Sequence, residues 1–395
     1  MPTVHLKNGR DASLLRHHPW IFSGAIEKIS GNPVSGATVK VVNAAGLVLG
    51  IGAWSPSSQI RVRMYCFDER SIDSDFFNAR VQQAINKRRA LIDDPQRSAF
   101  RLVYGESDGL PGLIVDRYND YLVCQFLFAG AEHWKQELVE ILAQQTGCLG
   151  IYDRSDVAVR EKEGLPQLKG SLAGTPPEPE VIIQEYGMKL AVDLIGGQKT
   201  GFYLDQAQNR TIVGEYCQGR RVLNCFSYSG GFSVAALKHE AIHVTSVDSS
   251  APALALANAN VQRNGFSADL HRSETGNVSH LLRDWQKTSE RFDLIILDPP
   301  KFAENKSQIM KAARAYKDLA LQAVRLLVPG GILVNFSCSG GIDLNLFQKI
   351  TADALLDARR DGEVLQYLHQ SSDHPVSLTF PESQYLKGLV CRVNN

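Results

Sequence analysis

Arg221-Val222-Leu223-Asn224-Cys225-Phe226-Ser227-Tyr228-Ser229-Gly230-Gly231-Phe232-Ser233-Val234-Ala235-Ala236-Leu237 is the stretch on which the reading of this chain turns. A short apolar run, Val222 to Cys225, meets a glycine-bearing turn and then a helix-forming segment, Val234 to Leu237. Three further runs of the same kind follow: Val244-Thr245-Ser246-Val247, Leu294-Ile295-Ile296-Leu297 and Ile332-Leu333-Val334-Asn335-Phe336, each separated by enough chain for a helix. Runs that are apolar throughout, rather than alternating, belong to strands covered on both faces, and their alternation with helical lengths is the pattern of a parallel sheet. From Arg221 onward the expectation is therefore an α/β fold with a doubly wound, mainly parallel sheet.

Upstream the texture differs. Val181 to Glu185 and Met188 to Leu194, joined at Tyr186-Gly187, read as a hairpin, and Gly174-Thr175-Pro176-Pro177-Glu178-Pro179 reads as a linker. Residues 73 to about 180 mix helix and strand. Asp73 to about Ile92 is helical with Ser71 or Asp73 as its cap, and strands follow around Leu102-Val103-Tyr104, Leu113-Ile114-Val115 and Leu122 to Phe126. A helix over Glu132 to Gln144 and a strand at Leu149 to Tyr152 complete the module. The first 70 residues show short strands divided by Gly, Ser and Pro, as in Ser30-Gly31-Asn32-Pro33, which predicts a small β-barrel with little helix. The expected division is 1–70, 73–180 and 181–395, the last including the hairpin, consistent with roughly two to three domains for this length.

Composition limits the function classes. With 44% hydrophobic and 21% charged residues and no low-complexity tract, the chain is that of a folded globular protein. No apolar run approaches the ~18 residues of a membrane helix, and the N-terminus lacks the layout of a signal peptide; the expectation is a cytoplasmic protein with no membrane partner. Seven cysteines without a CxxC pair argue against a disulfide framework or a zinc site, and no metal is expected. Net charge is zero, yet residues 1–66 carry Lys7, Arg10, Arg16, Lys28, Lys40, Arg61 and Arg63 against Asp11 and Glu27, seven cations minus two acids, or +5. A basic segment on a neutral protein is one way to hold a polyanion, and a solvated face is the other reading.

The chemistry concentrates at the ends of the apolar runs. The turn Phe226-Ser227-Tyr228-Ser229-Gly230 lets a ligand approach the backbone at the carboxyl edge of the sheet. It is not GxGxxG, and no GKS or GKT loop is present, which disfavours a dinucleotide or ATP. The second strand ends in Asp248, followed by Ser249, eighteen residues past Gly230, where a carboxylate can accept both ribose hydroxyl protons. A glycine turn plus an acidic strand end without a pyrophosphate fingerprint fits S-adenosylmethionine, with Phe226, Ser227, Gly230, Asp248 and Ser249 as candidate contacts. The fourth strand ends in Asp298-Pro299-Pro300-Lys301-Phe302; the two prolines fix the acid and its neighbouring carbonyls rigidly over that pocket. The fifth ends in Asn335-Phe336-Ser337-Cys338-Ser339, which brings Cys338 to the same cleft. Carbon 5 of cytosine does not attack a methyl sulfonium unaided. A thiolate adding to carbon 6 makes it nucleophilic, and an acid at ring N3 stabilises the charge that develops. Cys338 and Asp298 are the candidates for these roles, with packing as the other reading of Cys338; Cys225 and Cys391 read as packing.

Leu14-Leu15-Arg16-His17-His18-Pro19-Trp20-Ile21-Phe22-Ser23-Gly24, Gly105 to Gly112, Tyr152 to Asp156, Lys199-Thr200-Gly201-Phe202-Tyr203-Leu204-Asp205-Gln206, Asn224 to Tyr228 and Asp298 to Phe302 occur in this order. In these motifs the chain resembles, over nearly its whole length, the bacterial 23S ribosomal RNA (cytosine-5) methyltransferase I family. The resemblance implies an N-terminal PUA domain, a central α/β module, a Rossmann-like methyltransferase domain and 23S rRNA as partner. It also implies contacts to S-adenosylmethionine from Tyr203, Asp205 and Gln206, and an RNA-binding N-terminal module with Arg16 and Trp20 as contacts; Asp298 and Pro299 are further candidates for the donor site, and Arg61, Arg63 and Lys301 for the RNA. The nucleophile of relatives maps onto Cys338. Two departures stand out: Asp205-Gln206-Ala207-Gln208-Asn209-Arg210 lacks the first arginine of Asp-Gln-Arg-x-x-Arg, and Arg272-Ser273-Glu274-Thr275 carries Glu274 where an Asp meets the adenine amino group.

Two rivals remain open on sequence. One is a base-amino or guanine methyltransferase that uses Asp298 to Lys301 without a cysteine nucleophile; the other is a non-catalytic RNA-binding assembly factor. The modified nucleotide, naked RNA against an assembled subunit, and homodimer formation are likewise undecided.

Overall fold

The computed structural model describes residues 1–303 and 306–395. The chain forms two compact units: Met1–Ile183 with Val192–Leu204 and Asp373–Ser383, and Gln184–Ala191 with Asp205–Ser372 and Gln384–Asn395.

The first unit contains two sheets. β1 (Thr3–Leu6), β2 (Trp20–Phe22), β3 (Ile26–Ser30), β4 (Thr38–Val42), β5 (Val48–Trp54) and β6 (Ile60–Cys66) form a six-stranded sheet in the order β2-β6-β5-β4-β1-β3. Alternation explains its core: Val4, Leu6, Val39, Val41, Val62 and Met64 point inward and are buried together. Helix α1 (Ser74–Lys87) follows. Of the two expected caps it uses Asp73, whose Oδ1 accepts the Phe76 N–H at 3.0 Å. The expected helix to Ile92 breaks at Arg88 and resumes as the single turn α2 (Arg89–Ile92). The break has a cause: the Arg88 guanidinium turns into the core and donates to Asp108 Oδ1 (2.8 Å) and to the carbonyls of Arg101 (3.2 Å) and Asp373 (3.0 Å).

β7 (Ala99–Tyr104), β8 (Leu113–Tyr118), β9 (Tyr121–Phe126), α3 (Ala129–His133), α4 (Lys135–Thr146), β10 (Gly150–Ser155), α5 (Val159–Lys162) and β11 (Leu168–Gly174) come next, the strands ordered β11-β10-β9-β8-β7. β11 was not expected. Its sequence, Leu-Lys-Gly-Ser-Leu-Ala-Gly, is half exposed throughout and has no apolar run to reveal it.

β12 (Val181–Glu185) and β13 (Met188–Val192) form the expected hairpin, with Tyr186 (φ 46°) and Gly187 (φ 77°) both left-handed, as a two-residue type I′ turn requires. In the second unit α6 (Ala207–Glu215) leads into a seven-stranded sheet. Its strands are β14 (Arg221–Cys225), β15 (His243–Asp248), β16 (His271–Thr275), β17 (Phe292–Leu297), β18 (Leu327–Ser337), β19 (Gly362–His369) and β20 (Lys387–Val393), in the order β16-β15-β14-β17-β18-β20-β19. All neighbours are parallel except β20, which runs antiparallel to β18 and β19. The crossovers include α7 (Gly231–Lys238), α8 (Ala251–Arg263), α9 (Val278–Trp285), α10 (Ile309–Val324) and α11 (Leu344–Asp357). Strand order reverses between β14 and β17, the switch point at which α/β sheets open a crevice beyond their carboxyl ends.

Arg210 is buried. Its Nε and Nη2 donate to Glu185 Oε1 (2.6 Å) and Oε2 (2.7 Å), tying α6 to the hairpin within the second unit. Removing one partner leaves the other charge stranded, which costs about 3–5 kcal/mol. Arg210→Ala is therefore expected to lower the unfolding free energy by that amount in urea titrations. The double variant Glu185→Leu/Arg210→Met should recover most of it.

Candidate functional site

Four strands of the second unit deliver their carboxyl ends to one edge: Cys225 of β14, Asp248 of β15, Leu297 of β17 and Ser337 of β18. The turn after β14 is tightly wound. Phe226 (φ 60°), Tyr228 (φ 47°) and Gly230 (φ 80°) all take left-handed backbone, an arrangement that side-chain-bearing residues adopt only when their surroundings enforce it. Enforcement comes from β15: the Ser227 N–H reaches the Val247 carbonyl at 3.0 Å and the Tyr228 N–H reaches Asp248 Oδ2 at 2.9 Å, while Asp248 Oδ1 accepts the Ser250 N–H at 2.9 Å. The hydroxyls of Ser227 and Ser229 are buried and, among the described residues, have no hydrogen-bond partner. Buried hydroxyls left unsatisfied cost free energy, and polar groups of a ligand at this turn would satisfy them. A Cβ at Gly230 would lie 2.7 Å from the Ala257 Cβ, which keeps that position bare and α8 close beneath it.

Asp298 follows β17, with Pro299 buried beside it and Lys301 exposed. Its Oδ2 accepts the Gln206 side-chain N–H at 3.0 Å; Gln206 Oε1 in turn accepts from Asn209 Nδ2 (2.6 Å), which also donates to the His369 carbonyl (3.0 Å). Gln206 and Asn209 are both buried, so the acid is held by a fixed amide relay. Asp205 next to it accepts from the Tyr385 hydroxyl through Oδ2.

Cys338 stands one residue beyond β18 and is partly exposed, whereas Cys217, Cys225 and Cys391 of the same unit are buried. Burial pushes the thiols of Cys217 and Cys391 up to about 12 and that of Cys225 higher still, which leaves them protonated and inert. Around Cys338 lie groups that the sequence reading did not single out. Lys387 of β20 is buried and donates from Nζ to the Ser339 carbonyl at 2.7 Å, and the Tyr316 hydroxyl of α10 pairs with Ser339 Oγ at 3.0 Å. The available signal was a lysine inside the apolar run Leu386 to Cys391.

Ser249 is exposed beyond β15. Glu274 lies on the edge strand β16 and accepts from Arg272 Nε at 2.6 Å. Tyr203 belongs to the first unit, where its hydroxyl bonds Gln198 and the Lys199 Nζ sits 4.3 Å from its ring centre. Among the expected RNA contacts, Arg16 is exposed, and Arg61 is half-buried with Nη1 3.4 Å from the Ser55 carbonyl. Trp20 and Arg63 are committed internally instead. The indole Nε1 and the Arg63 Nη1 both donate to Glu106 Oε1 (2.7 and 2.6 Å), and Arg63 Nη2 donates to Glu163 Oε1 at 3.3 Å. Burial alone would raise the Glu106 carboxyl, but the Arg63 charge and these bonds hold it below the usual carboxylate range.

Comparison with known proteins fits this geometry. Residues 166–382 match the S-adenosylmethionine-dependent methyltransferase family and residues 4–67 match a PUA-like domain. A protein of Tolumonas auensis named ribosomal RNA large subunit methyltransferase I is 52% identical over 99% of both chains, and one of the same name from Aeromonas hydrophila is 50% identical over 99% of both. The chain belongs to the ribosomal RNA large subunit methyltransferase I family. Its fold is also that of a Streptococcus mutans protein described as a SAM-dependent methyltransferase (TM-score 0.86, 22% identity, 99% of this chain and 100% of that one). A methyltransferase crystallised with S-adenosylhomocysteine has the same fold (TM-score 0.87, 23% identity, with the same coverage).

The methyl donor of this family is S-adenosylmethionine, and the left-handed turn with its two orphaned hydroxyls fits such a ligand. Gly230→Ala is expected to weaken S-adenosylhomocysteine binding by about tenfold, because a left-handed non-glycine residue costs about 1–2 kcal/mol and the added methyl group meets Ala257. Isothermal titration calorimetry reads this directly; unchanged affinity would mean that the turn does not shape the donor pocket.

Proposed function

We propose that this protein methylates carbon 5 of a cytosine in 23S ribosomal RNA, with Cys338 as the nucleophile that makes that carbon reactive. The observation that carries the reading is the placement of Cys338: it is the one partly exposed cysteine among the described residues of the second unit, and it leaves β18 beside the strand that ends in Asp298. The ribosomal substrate follows from the names of the relatives and from the +5 charge of residues 1–66.

S-adenosylmethionine supplies an electrophilic methyl group carried on a sulfonium. In this reading Phe226, Ser227 and Gly230 of the turn, Asp248 and Ser249 beyond β15, and Asp205, Gln206, Asp298 and Pro299 would line its site, with Tyr203 and Glu274 as further contacts implied by the family. Cys338 Sγ, as thiolate, forms a bond to carbon 6 of the base, and the electron pair of the carbon 5–carbon 6 double bond moves to carbon 5. Asp298, as the protonated acid, donates its O–H toward ring N3 and stabilises the charge that accumulates there; the Gln206–Asn209 relay holds it in place for that task. When carbon 5 carries its methyl group, loss of its proton to water restores the double bond and expels Cys338 as thiolate. Arg16, Arg61 and Lys301 offer cations to the RNA backbone, and the Trp20–Glu106–Arg63 cluster holds the shape of the surface that carries the first two. The module of residues 1–70 then binds RNA, 73–180 supports it, and 181–395 performs the chemistry, in the cytoplasm where ribosomes assemble.

RNA containing 5-fluorocytosine has no proton to lose at carbon 5, so the Cys338 adduct cannot resolve. The wild-type protein with S-adenosylmethionine is expected to form a denaturant-stable RNA adduct visible as a gel shift, and Cys338→Ala is expected to form none. Labelled methyl transfer to ordinary RNA with no adduct from fluorinated RNA would replace this reading with methylation of a base nitrogen.

A further inference from the structure

Lys387 occupies a position that the reaction above does not explain. Because β20 runs antiparallel to β18, Lys387 stands opposite Ser337, and its side chain is directed along the edge from which Cys338 emerges. It is only 8% exposed, and its Nζ lies 2.7 Å from the carbonyl oxygen of Ser339, the peptide immediately after Cys338. A buried ammonium is expensive unless an anion accompanies it. Among the described residues its hydrogen-bond acceptor is the neutral Ser339 carbonyl, and no carboxylate forms an ion pair with it. Burial pulls the amine down to about 8, while Cys338 and Asp343 draw it back up and Lys301 opposes them.

The other groups nearby are already engaged. Asp343 caps α11 through the Leu346 N–H at 2.8 Å, the Tyr316 hydroxyl is held on Ser339 Oγ at 3.0 Å, and His369, across β19 from Lys387, has Nδ1 2.9 Å from the Gln370 carbonyl. A thiolate at Cys338 would give this ammonium an anionic partner.

We propose that Lys387 is the electrostatic partner of Cys338, its ammonium holding the cysteine as a thiolate ready to attack carbon 6; this rests on the reading of Cys338 as nucleophile. The proton balance closes. The Cys338 Sγ proton passes to the neutral Lys387 amine to give thiolate and ammonium, and the ammonium meets the same thiolate when it is expelled at the end of the cycle. Attack and departure both benefit from one fixed positive charge, and the amine gains or loses no proton over a turnover.

The test is the pH profile of Cys338 alkylation by iodoacetamide in the full-length protein, followed by mass spectrometry of the Cys338 peptide. In wild type the profile should titrate below the ordinary cysteine value of about 8.5. Lys387→Gln keeps an N–H donor for the Ser339 carbonyl but removes the charge. It should move the profile upward and slow alkylation near neutrality by about tenfold, since one pKa unit changes the thiolate fraction by that factor. Lys387→Arg should remain near wild type. Should Lys387→Gln not fold, Lys387→Met, uncharged and of similar length, carries the same comparison. A folded Lys387→Gln or Lys387→Met protein whose profile superimposes on wild type overturns the proposal. The outcomes separate from those of the preceding reading: a fluorocytosine adduct together with an unmoved alkylation profile defeats the role of Lys387 alone, whereas absence of any adduct defeats the nucleophile.

Discussion

Parallel strands that are buried on both faces can present reactive groups only at their ends, and here that restriction organises the chemistry. β14, β15, β17 and β18 run in one direction, so each passes from core to solvent at the same edge, and the first residues outside the sheet are Phe226, Ser249, Asp298 and Cys338. Polar side chains inside these strands donate within the unit; Asn224, for example, donates to Ser233 at 2.8 Å and Asn335 to Thr351 at 3.1 Å. Chemistry is thereby confined to a line of strand termini, and the order reversal between β14 and β17 opens the crevice in which such termini meet a ligand. β20 adds the one exception: entering from the opposite direction, it starts at this edge, and so its first residue, Lys387, joins the same line.

This geometry accounts for what the sequence disclosed. β14, β15, β17 and β18 announce themselves because burial on both faces favours apolar runs, whereas the parallel edge strand β16, His271–Thr275, is polar and partly exposed and carries no such run. The hairpin was equally plain, since two strand-like runs are separated by two residues of which the second is Gly187. What stayed hidden was set by tertiary pairing. β11 is half exposed and compositionally neutral, and the interruption of the helix at Arg88 depends on Asp108 and two carbonyls far away in sequence. The role of Lys387 was invisible for the same reason, because its meaning lies in the register with Ser337.

The basic N-terminal segment shows the limit of counting charges. Of its seven cations Arg63 is spent on Glu106 and Glu163, and Lys40 is paired with Glu69, while Arg16 stays open to solvent. A surplus of positive charge in a sequence interval sets an upper bound on what a polyanion can meet. Which side chains are available is decided by acids contributed from other parts of the fold, here from residues beyond the interval itself. Arg210 of the second unit is likewise closed by an acid distant in sequence, Glu185.

The central claim is that the methyl group goes to carbon 5 of cytosine, and it can be tested at the atom concerned. With 23S RNA carrying tritium at carbon 5 of its cytosines, a carbon-5 transfer must release the tritium at that position, because the proton there leaves before the product is free. The account requires tritium release into water in equal amount to methyl groups transferred. Methyl transfer with the tritium retained in the RNA would contradict it.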